Sequence, residues 1–173
     1  MIRSVIITEE FVQDEEYVYP YYRLQEAGYD VQVATRDPSN QVYGKYGIPI
    51  RATMSTKDLN ADNFDMVLIP GGFAAQDRLR VIPEVLMFVK EMNRQGKLIA
   101  AICHGPAVLI SADIARGRKM TAYYAIEADI RNAGAEYSRD PVVIDGNFIT
   151  SPHYKYNGDF MKAVVKYMES YDR

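Results

Sequence analysis

The sequence predicts an α/β fold, a mostly parallel sheet with helices on both faces, and three observations carry that prediction. Short, β-branched apolar runs recur at 2–8, 29–35, 64–70 and 98–102, and they read as strands buried on both faces. Stretches of helical spacing separate them, as the crossovers of a parallel sheet require. The run at 98–102 stops abruptly at Cys103-His104-Gly105-Pro106 and resumes as an apolar helix start, the form of a nucleophile elbow. Proline suits that first helical turn because its missing N–H would have been an orphan donor there.

The elements follow in order. After the strand at 2–8, a polar loop runs to residue 15, and 16–27 carries Tyr17, Tyr21 and Leu24 on one helical stripe closed by Gly28. Pro20 predicts that this helix starts near it or bends there. The strand at 29–35 leads through an Asp37-Pro38-Ser39-Asn40 turn to a small hairpin over 42–51 around Gly44 and Gly47, then to one helical turn within 55–62. The strand FDMVLIP ends in Gly71-Gly72, and a helix runs from 84 to 95 between Pro83 and Gly96. Beyond the elbow come a short strand at 119–122, a helix at 125–132, a hairpin at 142–151 turning on Gly146-Asn147, and a closing amphipathic helix at 160–171. Without repeat, low-complexity tract or linker, residues 1–173 read as one domain.

A chain of 173 residues, 48% hydrophobic, with a net charge of −3, belongs to the ordinary globular class. Scattered Lys and Arg, outnumbered by Asp and Glu, argue against nucleic acid. No apolar run reaches the roughly 20 residues of a membrane helix, and no signal peptide is evident. The single cysteine suits a reducing cytoplasm. One Cys and two distant His give no metal site, and no Gly-rich phosphate loop is present. Fourteen tyrosines without a tryptophan hint at a pocket or a subunit interface.

In such folds the crevice lies outside the carboxyl ends of the strands, where the loops 9–16, 71–77 and 103–106 should converge. Cys103 at a helix start reads as a thiolate formed well below the free-thiol value of about 8.5; the alternative is an inert buried cysteine. A Cys–His pair must use His104 or His153, the only two histidines, and adjacency alone does not bring the His104 ring to the sulfur. Glu16 reads either as a protonated carboxyl donating to the sulfur or as one more charge in the run Asp14-Glu15-Glu16. Gly71 and Gly72 could point backbone N–H groups at an oxyanion, or simply turn the chain. Gln76 and Asp77, just beyond, default to surface solvation.

These residues resemble the ThiJ/PfpI superfamily, most closely its intracellular protease I (PfpI) branch, over nearly the whole chain. The markers are Glu16 with Tyr19-Pro20-Tyr21, Gly44-Lys45-Tyr46-Gly47, Leu68-Ile69-Pro70-Gly71-Gly72, Ala101-Ile102-Cys103-His104-Gly105-Pro106, Gly117-Arg118-Lys119 and Asn132-Ala133-Gly134-Ala135-Glu136. The resemblance implies a flavodoxin-like sandwich, akin to class I glutamine amidotransferases, with Cys103 as nucleophile and no cofactor. It implies Glu16 as the carboxyl bonded to the cysteine, His104 as base, and Gly72 with the His104 backbone at the oxyanion site. Tyr123 matches a tyrosine near the pocket, Lys45 a lysine near a subunit contact, and Asp77 an acid that approaches the His of a neighbouring subunit in a dimer or hexamer. Three departures stand out: Gln13 replaces a second glutamate, the loop 72–77 is one residue longer, and 151–157 departs from a Ser-Arg-x-Pro pattern.

The expected function is a cytoplasmic enzyme whose Cys103 attacks small 2-oxoaldehydes such as methylglyoxal, or their adducts on proteins, in the manner of a glyoxalase III or deglycase. Peptide hydrolysis through the same thiol, and a non-enzymatic role as peroxide sensor or stress chaperone, are the alternatives.

Overall fold

The computed structural model describes residues 1–171. Its centre is a seven-stranded sheet in the order β3-β2-β1-β4-β5-β9-β8. Strands β1 (Arg3–Ile7), β2 (Asp30–Thr35), β3 (Met54–Ser55), β4 (Met66–Ile69) and β5 (Leu98–Ile102) are parallel, and β9 (Phe148–Ser151) joins β5 in the same sense. Only β8 (Val143–Asp145) runs antiparallel, closing a hairpin on β9. The period of two sorts the side chains: Val5, Ile7, Val67, Ile69, Ile99 and Ala101 enter one core, and Ile6, Met66, Leu68, Leu98 and Ala100 enter the other. Helices α2 (Pro83–Arg94), α3 (Pro106–Ser111) and α4 (Glu127–Asn132) cover the first. Helices α1 (Asp14–Glu26) and α5 (Asn157–Tyr171) cover the second through Tyr17, Leu24, Phe160, Val164 and Met168. This is the flavodoxin-like α/β sandwich that the sequence predicts.

Four local expectations change in detail. Helix α1 starts at Asp14 and runs through Pro20; three acids in its first turn favour the helix N-terminus, which puts Glu16 inside the helix. Residues 42–51 do form a small hairpin, but one held by a single Tyr43–Pro49 bridge, with the Gly44 N–H donating to the Ile48 carbonyl at 2.8 Å and the Ile50 N–H to the Val42 carbonyl at 3.0 Å, and its main chain also pairs with the loop 10–14. The segment 55–62 splits into two 3-10 turns, Thr56–Asp58 and Ala61–Asn63, capped by Ser55 and Asn60. Strand β6 (Lys119–Met120) pairs with β7 (Glu136–Tyr137), a strand too short to register in the sequence.

Candidate active site

The carboxyl ends of β1, β4 and β5 bring three loops together. Cys103 follows β5 at φ +61°, a left-handed conformation that costs a non-glycine residue roughly 1–3 kcal/mol. It is pinned there on both sides, its N–H donating to the Ser151 carbonyl at 2.9 Å and its carbonyl accepting from Tyr123 N–H at 2.8 Å. The side chain is therefore turned off the strand axis toward the loops, and it is only 7% exposed.

Glu16 projects from the first turn of α1 and is fully buried. Its Oε1 accepts the Gly71 N–H at 2.9 Å, and Oε2 has no partner among ordinary donors; Cys103 is the side chain that it faces. Burial, above all, pushes the Glu16 carboxyl up to about 8, against the pull of Gly71 and Cys103. The group is thus mostly protonated at neutral pH, with an O–H to offer the sulfur. No residue larger than glycine fits at 71, since a Cβ would lie 2.7 Å from both Glu16 Oε1 and the His104 nitrogen.

The structure corrects two expectations. The Cys103 thiol is pushed up, not down, first by burial and then by the Glu16 charge; backbone N–H groups of His104 and Gly72 act in the opposite sense. A helix of six residues offers too little field to outweigh desolvation. Gly71 is no oxyanion donor, because its N–H is spent on Glu16. Gly72, at φ +71°, and His104 direct their backbone N–H groups at the Cys103 sulfur.

His104 does reach the sulfur, with Nδ1 3.6 Å from Sγ. Its pKa is lowered, first by burial, with the Asp77 charge raising it and Lys45 lowering it, so the ring is neutral near pH 7, and the tautomer protonated on Nε2 would present Nδ1 to the thiol as an acceptor. Asp77 is exposed and lies on a π-turn, Ala74–Arg78, the form in which a helix absorbs one extra residue. Asp77 does not line the cavity described below.

Over these groups opens a cavity of about 390 Å³. Tyr123 lines it, its ring 4.8 Å from that of His104. His153, left open by the sequence, also lines it, but its Nδ1 accepts the Lys155 N–H at 3.1 Å and its ring lies tilted against Tyr154 at 4.1 Å. Lys45, Tyr46, Phe73, Gln13 and Gln76 complete the wall. The Gly44–Gly47 turn carries Lys45 over the cavity.

Residues 3–167 match the DJ-1/PfpI family model. The chain belongs to the DJ-1/PfpI family. Deglycase PfpI of Pyrococcus furiosus is 38% identical over 156 residues, covering 88% of this chain and 93% of that protein. The putative cysteine protease YraA of Bacillus subtilis is 38% identical over 148 residues, 86% of each chain. Among solved structures, a two-domain protein of Anabaena variabilis with DJ-1/ThiJ/PfpI-like and ferritin-like domains superposes with a TM-score of 0.95 at 38% identity, over 98% of this chain and 48% of that one. Among the described residues no helix is long and apolar enough to cross a membrane, and no group of three or more His, Cys, Asp or Glu could hold a metal ion.

Proposed function

We propose that this DJ-1/PfpI-family protein is a cysteine-dependent enzyme acting on 2-oxoaldehydes of the methylglyoxal class, free or as adducts on proteins. The observation that carries the reading is the buried, neutral Glu16 carboxyl under a strained cysteine that a neutral histidine touches. The names of relatives, deglycases at 38% identity, support the same chemistry.

The reaction begins as Sγ bonds to the aldehyde carbon, its proton passing to His104 Nδ1. The aldehyde oxygen becomes a hemithioacetal hydroxyl with a proton from Glu16, while the Gly72 and His104 N–H groups stabilise the developing oxyanion. The ionised Glu16 then removes the proton on the sulfur-bearing carbon and delivers it to the neighbouring carbon, while the hydroxyl proton shifts to the neighbouring oxygen and the proton held on His104 returns to Glu16. The result is a thioester of the 2-hydroxy acid. Water cleaves the C–S bond, giving the hydroxy acid and the free thiol, so one carbon is oxidised as its neighbour is reduced and no external oxidant is needed. From an adduct, the amine leaves as the carbonyl is captured.

Lactate formation from methylglyoxal, followed by NMR, tests this. The native protein should produce lactate and Cys103→Ser should not; turnover that survives Cys103→Ser would end the proposal. Peptide hydrolysis is the second reading, favoured by the Sγ–Nδ1 contact and by an exposed Asp77 free to reach a neighbour's His104. It requires an oligomer, and a monomer by gel filtration would remove it.

A further inference from the structure

The walls of the catalytic cavity carry a bias that the proposed reaction does not itself need. Eleven residues line it and none is an acid, although acids outnumber bases in the chain as a whole. Glu16 lies beneath the sulfur rather than in the wall, and Asp77 stands outside. The one fixed cation in the wall is Lys45.

Its placement is built. The Lys45 N–H donates to the Val12 carbonyl at 2.8 Å. Just beyond it, the Asp14 carboxylate accepts the Tyr46 N–H at 2.8 Å and the Ile48 N–H at 2.9 Å. A Cβ at Gly44 would collide with that carboxylate, so the turn can press against it only with glycine there. The ammonium then sits 5.5 Å from the ring centroids of both Tyr46 and Phe73. Among the described residues no ion pair engages it. Its charge is nonetheless felt across the cavity, lowering the pKa of both Glu16 and His104. Because Lys45 fills the space between those two rings, they form no cage for a cationic ligand. A single ammonium, without an arginine fork beside it, matches a monoanion better than a phosphate dianion.

We propose that Lys45 makes this pocket selective for carbonyl substrates that carry a carboxylate beyond the reacting carbonyl. The inference rests on the carbonyl reading above for its substrate, and it is tested in two arms so that the two can fail separately.

The first arm needs no turnover. Cys103 is alkylated with iodoacetate and with iodoacetamide, in the native protein and in Lys45→Met. Both reagents consume the same thiolate, so the ratio of their rates cancels any change in Cys103 ionisation. That ratio should fall by about threefold to fivefold in Lys45→Met, the contribution of one unit charge at a separation of roughly 4–6 Å at the dielectric of water. Lys45→Arg, which keeps the charge, should preserve it. The second arm compares kcat/KM for 4,5-dioxopentanoate, a 2-oxoaldehyde with a distal carboxylate, with that for its methyl ester. The native enzyme should prefer the acid, and Lys45→Met should lose that preference by a similar factor. An alkylation ratio unchanged by Lys45→Met overturns anion selection whatever the enzyme turns over. A ratio that falls while neither oxoaldehyde is consumed defeats the carbonyl reading, and with it the assignment of the carboxylate to a substrate. Consumption of acid and ester at equal kcat/KM overturns the proposal and leaves the carbonyl reading standing.

Discussion

Replacing Glu16 by Gln should stabilise the protein, and by an amount that grows with pH. In the folded chain the Glu16 carboxyl is raised by burial from an ordinary 4.5 to about 8. Between those values the unfolded chain releases a proton that the folded chain keeps, so stability falls as pH rises. The sign is that of a destabilising group, absent below pH 4.5 and fully expressed above about 8. At about 1.4 kcal/mol per pH unit, Glu16 costs about 1 kcal/mol at pH 5, about 3 at pH 7 and about 4 at pH 8. Gln keeps an acceptor for the Gly71 N–H and cannot ionise, so it removes this slope. Urea unfolding of the native protein and of Glu16→Gln at pH 5, 6, 7 and 8 reads the difference directly. The gap between the two should widen by about 3 kcal/mol across that range. Parallel stability curves would mean that Glu16 ionises normally when folded, and the neutral-acid role assigned to it would be lost.

Three further outcomes follow from the same geometry. The profile of kcat/KM against pH should be a bell: activity falls on the acid side only below 6.5, where His104 gains a proton, and on the basic side near 8, where Glu16 loses one. His104→Gln should lower the rate by roughly 10²–10⁴, and Glu16→Gln should remove the limb near 8. Asp14→Ala frees the two N–H groups that hold the Lys45 turn; it should cost about 1–3 kcal/mol in urea unfolding and lower the iodoacetate-to-iodoacetamide ratio much as Lys45→Met does. Gly71→Ala drives a methyl against Glu16 and the His104 nitrogen, and should cost about 1–3 kcal/mol while slowing Cys103 alkylation; a fully active Gly71→Ala would contradict the close approach.

What the sequence made legible was what depends on local pattern. Apolar runs and their helical spacers located the strands of the sheet, and the break at Cys103 located the elbow. The residues alone left Glu16 open between a protonated partner of the sulfur and one acid among three, and only the family resemblance chose the first, because its burial depends on helix α1 starting at Asp14 and packing against the loop after β4. The thiol's ionisation was read with the wrong sign for a related reason. A helix start is local and can be seen in sequence, whereas desolvation by surrounding strands cannot. Gly71 shows the same limit, since nothing in Pro70-Gly71-Gly72 tells which N–H is taken by a side chain 55 residues away. Lys45 needed the partnership of two loops, 10–14 and 43–48, that share no sequence signature.

The two central features of the site are both unfavourable to folding. A left-handed Cys103 costs roughly 1–3 kcal/mol, and a buried Glu16 costs about 3 kcal/mol more at neutral pH. Packing alone would favour a glycine at the elbow and an apolar residue or Gln beneath it, either of which would leave the sheet and both cores intact. A glycine at 103, however, removes the nucleophile, and an apolar residue at 16 leaves the sulfur without an acid and the Gly71 N–H without its acceptor. The proposed reaction gives the strain and the buried carboxyl a common use. On that reading the thiol, kept neutral by burial, has the His104 ring beside it as base and the Glu16 carboxyl as a proton donor for a captured carbonyl. The surrounding strands β1, β4 and β5, buried on both faces, supply the stability against which that arrangement is maintained.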